Sequence, residues 1–276
     1  MPVWVVSARE SAERDRAAIE SGTPSRVLME RAGSAAAREI SRRYPDRLAN
    51  GAVVFTGSGN NGGDGWVVAG TLARSGVAVT VIEAGKATRP KSPDAVIQRE
   101  AAIDAVNIAD VVEGDATIVV DALLGTGFEG EPRGKIGEAI ATINGLRGQG
   151  ARVASLDIPS GLDATSGRHS NCVIADLTLS FGGFKRGTLL ARDVCGEIVA
   201  LDIGLDDVPR VAAGSQSKRE TPLPILVDGD WVRSRIPPIR FDAHKGTRKH
   251  LALVGGGKGM PGAVVVAARG ALRSGI

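Results

Sequence analysis

The sequence predicts an α/β fold: a three-layer, Rossmann-like domain built on a mostly parallel sheet. Three observations point there. Short Val/Ile/Ala-rich runs such as GAVVFT (51–56) and VAVTVIE (77–83) read as strands buried on both faces. Segments with helical spacing separate them. The segments that follow the strands are rich in Gly, Asn and Asp, and ligands of open parallel sheets bind beyond the carboxyl ends of the strands.

Taken in order, a helix is expected over about 11–22 and a second over 24–44. The second starts at Pro24, a favoured first helical residue. It repeats Leu28, Ala32, Ala35 or Ala36, and Ile40, and stops at Tyr44-Pro45. Strand 51–56 leads into the loop Gly57-Ser-Gly-Asn-Asn-Gly-Gly-Asp-Gly65, then a helix over about 64–75 closed by Gly76. Strand 77–83, a helix over about 91–106 and strand 117–120, ending at Asp121, follow. A second Gly-rich loop, 125–134, precedes a helix over 135–147. Strand 152–156 then ends at Asp157, and strands 174–180 and 198–203 complete the set. The first domain is therefore placed at 1–205. Residues 206–240, with Pro209, Pro222, Pro224, Pro237 and Pro238, read as a linker. His250–Val254 reads as a new strand, followed by Gly255–Gly262 and the start of a helix. Residues 241–276 thus open a second α/β unit, but roughly 35 residues cannot enclose a core alone.

The 276 residues are 43% hydrophobic and 24% charged, as in a folded globular chain, with aromatics at only 3%. The net charge of +3 is scattered and leaves no basic stripe for nucleic acid. No apolar run approaches the roughly 20 residues that span a bilayer. The N-terminus, MPVWVVSARE, lacks the basic leader of a signal peptide. These features give a soluble, cytoplasmic protein with no membrane or nucleic-acid partner. Cys172 and Cys195 form no CxxC pair and read as buried thiols, and His169, His244 and His250 have no metal-ligand spacing.

Gly57-x-Gly59-x-x-Gly62 follows a strand and precedes a helix, so backbone amides and a helix N-terminus can hold phosphate. Glu83, ending the next strand, is a candidate ribose-binding acid, which would make the chain an NAD-dependent oxidoreductase. Against this, the loop carries Asn60, Asn61 and Asp64, which a plain pyrophosphate turn does not need. No His or Tyr offers itself for hydride transfer, and two helices precede the fingerprint. The bland alternative is that Asn60, Asn61 and Asp64 shape a turn and cap a helix. Asp121 and Asp157 each end a strand, where an Asp can cap the next helix or join a shared site. Together with asparagine amides and Ser160 they supply oxygen ligands for a hard cation, without selecting one. The loop from Gly125 is a surface turn or a lid. Lys185, in Phe181-Gly-Gly-Phe-Lys-Arg-Gly187, meets a phosphate or solvent.

The strings GSGNNGGDG, VVDALLGTGFEG, LDIPSGLDATSG and LTLSFGGFKRG, in this order, resemble the NAD(P)H-hydrate epimerase domain, as does IESGTPSRVLMERAG near the start. The resemblance covers about 1–205. It implies interconversion of the R and S epimers of NADH and NADPH hydrated at C6 of the nicotinamide ring, a cofactor-repair reaction. It implies that Asn60, Asn61, Gly62, Gly63 and Asp64, with Gly125, Thr126, Gly127, Phe128, Glu129, Gly130 and Glu131, bind the hydrated dinucleotide, and that Asp157 also contacts it. Asn61, Asp121 and Ser160 would hold one potassium ion per subunit, and the protein would be a homodimer. Epimerising C6 needs a carboxyl group able to give and take a proton, and Asp157 is the expected catalytic residue. The tail from His244 to Ile276 resembles the opening of the ribokinase-like ADP- or ATP-dependent NAD(P)H-hydrate dehydratase, with Lys249 where that opening commonly has glycine. It reads as an incomplete fragment of that domain, without dehydratase activity. The other readings are the oxidoreductase and a non-catalytic nucleotide-binding module.

Overall fold

The computed structural model describes residues 3–84, 91–112, 117–205, 224–236, 238, 240–244, 251–259 and 261–273. The chain divides into a unit spanning Met1–Leu226 and a unit spanning Val227–Ile276.

The first unit is organised by seven parallel strands in the order β4-β3-β2-β5-β6-β7-β9. These are β2 (Ala52–Thr56), β3 (Val79–Glu83), β4 (Asn107–Ala109), β5 (Ile118–Ala122), β6 (Arg152–Leu156), β7 (Leu177–Phe181) and β9 (Glu197–Leu201). Successive side chains of a strand face opposite ways, and both faces here are covered. Ala52, Val54, Ile118, Val120 and Ala122 join one core with α2 (Ser25–Arg43) and α4 (Asn60–Arg74). Val53, Phe55, Val119 and Val153 join another with α6 (Gly134–Gly148). The three-layer parallel α/β fold expected from the apolar runs is therefore present. Strand order reverses between β2 and β5, which opens a crevice at their carboxyl ends.

The α4 helix differs from expectation in a way that matters for function. It begins at Asn60, so Asn60–Asp64 form its first turn and not a loop. Glycine content suggested a loop, but packing demands those glycines. A side chain on Gly62 would run into the carbonyl of Gly57, and one on Gly57 into that of Leu123. Close packing onto the sheet outweighs the poor helix propensity of glycine. The Gly59 N-cap has no side chain to satisfy the first amides, so these stay available at the crevice.

A small second sheet holds the N-terminus. β1 (Val3–Val6) runs parallel to β8 (Phe184–Lys185) and antiparallel to β10 (Ile225–Leu226). None of these short strands was apparent in the sequence, and β10 falls inside the segment read as a linker, of which 206–223 lie outside the described residues. Helix α1 (Ala8–Glu20) follows β1 through a capping box. Glu10 N–H donates to Ser7 Oγ at 3.2 Å, and Ser7 N–H to Glu10 Oε2 at 2.7 Å. The short helices α3 (Pro45–Leu48), α5 (Pro93–Ala102), α7 (Arg186–Leu190) and α8 (Arg192–Cys195) complete the unit. Cys172 and Cys195 are buried and unbridged in one small apolar cluster. Burial raises both thiols, Cys195 to about 12, so neither is a reactive thiolate.

The second unit contains α9 (Gly229–Arg233) and α10 (Gly262–Arg273). The strand expected at His250–Val254 is corrected: His250 lies outside the described residues, and Leu251–Val254 join no strand and are exposed. An apolar run alone does not make a strand where no partner strand lies beside it. Among the described residues, no helix is long and apolar enough to cross a membrane.

Candidate active site

The crevice at the strand reversal is the mouth of a cavity of about 630 Å³. The end of β2 and the start of α4 supply Ser58–Asn61 and Asp64. The segment after β5 supplies Leu123–Phe128, the end of β6 Asp157, the end of β7 Phe181, β8 Lys185, and α1 Ser11 and Asp15. The segments that follow β2, β5, β6 and β7 therefore share one edge of the sheet. Gly62 and Gly63 sit beneath this wall, packed against Gly57 and Met29. Gly130 and Glu131 line a neighbouring cavity of about 300 Å³ with Phe128, and Glu129 is exposed.

Asp121 is fully buried at the end of β5. Its Oδ2 accepts from Ser155 Oγ at 2.8 Å and Ser160 N–H at 2.9 Å. Its Oδ1 accepts from Ser160 Oγ at 2.5 Å and Leu123 N–H at 3.3 Å. Four donors for one carboxylate tie β5, β6 and the 157–160 turn together. Burial nevertheless raises the Asp121 carboxyl, with these bonds pulling it down. Asn61 extends the knot by donating from Nδ2 to the Leu124 carbonyl at 2.9 Å. Asn61 Oδ1 is buried without a hydrogen-bond partner, an acceptor open to a donor hydrogen or to a hard cation.

Asp157 has φ of +64°, the one non-glycine residue at positive φ among those described. Such a conformation needs support from its surroundings. Phe181 N–H donates to Asp157 Oδ1 at 3.1 Å, and the Lys185 ammonium donates to the same oxygen at 2.5 Å. Lys185 is 1% exposed and also donates to the Phe181 carbonyl at 2.7 Å. The sequence reading of Lys185 as solvated is thus corrected: β8, paired with β1, draws it inside onto Asp157. Among the described residues lining the cavity, Lys185 is the one cationic side chain, against Asp15, Asp64, Asp94 and Asp157. Burial, with Asp157 and Asp15 beside it, pushes the Asp64 carboxyl well above the usual carboxylate range, Lys185 opposing.

Glu83, the candidate ribose acid, is committed elsewhere. Arg99 holds it at 2.8 Å while lying 5.3 Å from the Trp66 ring centroid. The dinucleotide fingerprint therefore lacks the acid that a dehydrogenase would use.

With that geometry, the profile of the family described as "YjeF-related protein N-terminus" matches residues 25–187, over half of the chain. The chain belongs to this family. It is similar to the bifunctional NAD(P)H-hydrate repair enzyme Nnr of Coxiella burnetii, 36% identical over 97% of this chain and 54% of the relative. The Escherichia coli enzyme of the same name is 35% identical over 99% of this chain and 52% of the relative. The chain spans about half the length of these curated relatives. The crystal structure of yeast ynu0 has the same fold, with a TM-score of 0.59 at 23% identity, covering 71% of this chain and 86% of that one.

Asp15 was missed in the sequence, and Lys185 was misjudged. The signal for Asp15 was present: Ser11, Asp15 and Ile19 fall at four-residue intervals on one helical face. For Lys185 there was none, because its burial depends on the β1–β8 pairing.

Proposed function

We propose that this chain epimerises the R and S forms of NADH and NADPH hydrated at C6 of the nicotinamide ring. The observation that carries the reading is the carboxyl-lined cavity beside an uncapped, glycine-rich helix start. Family membership and the names of the relatives support it. The dinucleotide phosphates would lie at the N-terminus of α4, around Asn60–Asp64, and along the amides of Gly125–Glu131. Loss of hydroxide from C6 leaves a cationic ring, which the surrounding carboxylates stabilise electrostatically. Asp157, oriented by Lys185 and Phe181, exchanges the proton at the C6 oxygen. An NAD-dependent oxidoreductase is disfavoured because Glu83 is engaged by Arg99.

A potassium ion fits the unpartnered Asn61 Oδ1, with Asp121 and Ser160 as further oxygen donors. When bound it would supply a fixed positive charge that locks the start of α4 to the segment after β5. Exchanging potassium for tetramethylammonium should lower the melting temperature of the parent protein but not of N61L. Cytoplasmic location and homodimerisation belong to the same reading, the latter checked by light scattering. The direct test supplies purified R hydrate and follows R and S by chromatography. Conversion well above the rate in buffer supports the reading. Oxidation of an alcohol with NAD, or binding without turnover, would favour the other two.

A further inference from the structure

We propose that Asp15, on the helix that precedes the family-matched region, is a second proton-transfer group of this site and works on the face of the ring away from Asp157. The inference rests on the epimerase reading. Inverting C6 requires a proton delivered to oxygen on one face and a proton taken from water on the other. A single carboxyl cannot reach both faces unless the ring turns over.

Asp15 is placed for the second role. Ser11, Asp15 and Ile19 form the face of α1 that lines the cavity, a different wall from the β6 end that carries Asp157. The helix is anchored three times. The capping box fixes its first turn, Ala8 N–H donates to Thr165 Oγ1 at 3.0 Å, and Arg14 donates to the Gly182 carbonyl at 2.5 Å. The charged groups around Asp15 are Lys185 from β8, Asp157 from the end of β6, Asp64 from α4 and its neighbour Arg14. Burial holds the Asp15 carboxyl above its ordinary range, with Lys185 and Arg14 lowering it and Asp157 raising it. A carboxyl raised in this way holds its proton more readily than a solvated one, which suits a general acid.

The step balances as follows. Protonated Asp15 gives its proton to the C6 hydroxyl oxygen. The C6–O bond breaks, its electron pair leaves on water, and the ring nitrogen lone pair forms the N1=C6 cation. A water molecule then adds to C6 from the other face and gives a proton to the Asp157 carboxylate. The opposite direction exchanges the two roles, and solvent resets the protons between turnovers.

The test is D15N, with D15S as a second variant, assayed on purified R hydrate across pH. The expected result is a kcat about 100-fold or more below the parent, a KM little changed and loss of the high-pH limb of the kcat profile, with partial rescue by D15E. Parent-like kcat and profile in D15N overturn the proposal. So does a lowered rate with an unchanged profile, the mark of a structural role. If the parent chain itself fails to epimerise, the epimerase reading falls and the role of Asp15 falls with it.

Discussion

Asp121, buried behind the cavity lining, and the carboxyls that line the cavity solve opposite problems. At the end of β5, Asp121 is enclosed by four hydrogen-bond donors, three of them from β6 and the 157–160 turn. In the cavity lining, Asp157 adopts a left-handed backbone conformation and pairs with the buried Lys185 ammonium, whose charge Asp15 and Asp64 also feel. The first arrangement fastens the strand ends together and serves as scaffold. In the second, burial raises the Asp15 and Asp64 carboxyls at positions that line the cavity, which is useful for moving protons and poor for stability. The difference teaches that buried carboxylates are not one class: hydrogen-bond enclosure separates the structural from the reactive.

The largest effect should come from breaking the scaffold. D121A strands the Ser155 and Ser160 hydroxyls and two backbone amides in the interior. It should lower stability by about 5 kcal/mol or prevent folding, as read by urea denaturation. A near-parental midpoint would dissolve the distinction between the two arrangements. Next is K185M, which removes the cation from the carboxyl cluster and leaves Asp157 buried without it. A loss of about 3 kcal/mol is expected, with epimerisation falling further than stability explains.

The smallest effect sharpens the comparison through pH. The Asp64 carboxyl is raised in the folded state, chiefly by burial. Its contribution to stability is therefore present below the unfolded value of about 4 and lost as pH rises through the folded value. D64N should melt above the parent at pH 8, and the gap should close on acidification toward about pH 4. A D64N protein less stable than the parent at pH 8 would place Asp64 with the scaffold instead.

The legible parts of this molecule were the repetitive ones. Apolar runs such as 51–56 and 152–156 gave the parallel strands, because burial on both faces leaves a compositional mark. Strand-end positions brought Asn61, Asp121, Asp157 and Ser160 to one edge, because the topology of a parallel sheet fixes where its strands end. Features set by distant packing were illegible. The start of α4 at Asn60 depends on glycines fitting against Gly57 and Met29. The burial of Lys185 depends on pairing with a four-residue strand near the first residue of the chain. The apolar run at 251–254 shows the reverse error, a pattern without a partner strand.

The central claim is that the Asp157 side of the cavity performs the chemistry. Its most direct test compares the parent chain with D157N on purified R hydrate, at matched concentrations of folded protein. The account predicts rapid approach to the R/S mixture by the parent, and D157N slowed by about 100-fold or more toward the rate in buffer. Full epimerisation by D157N would contradict it.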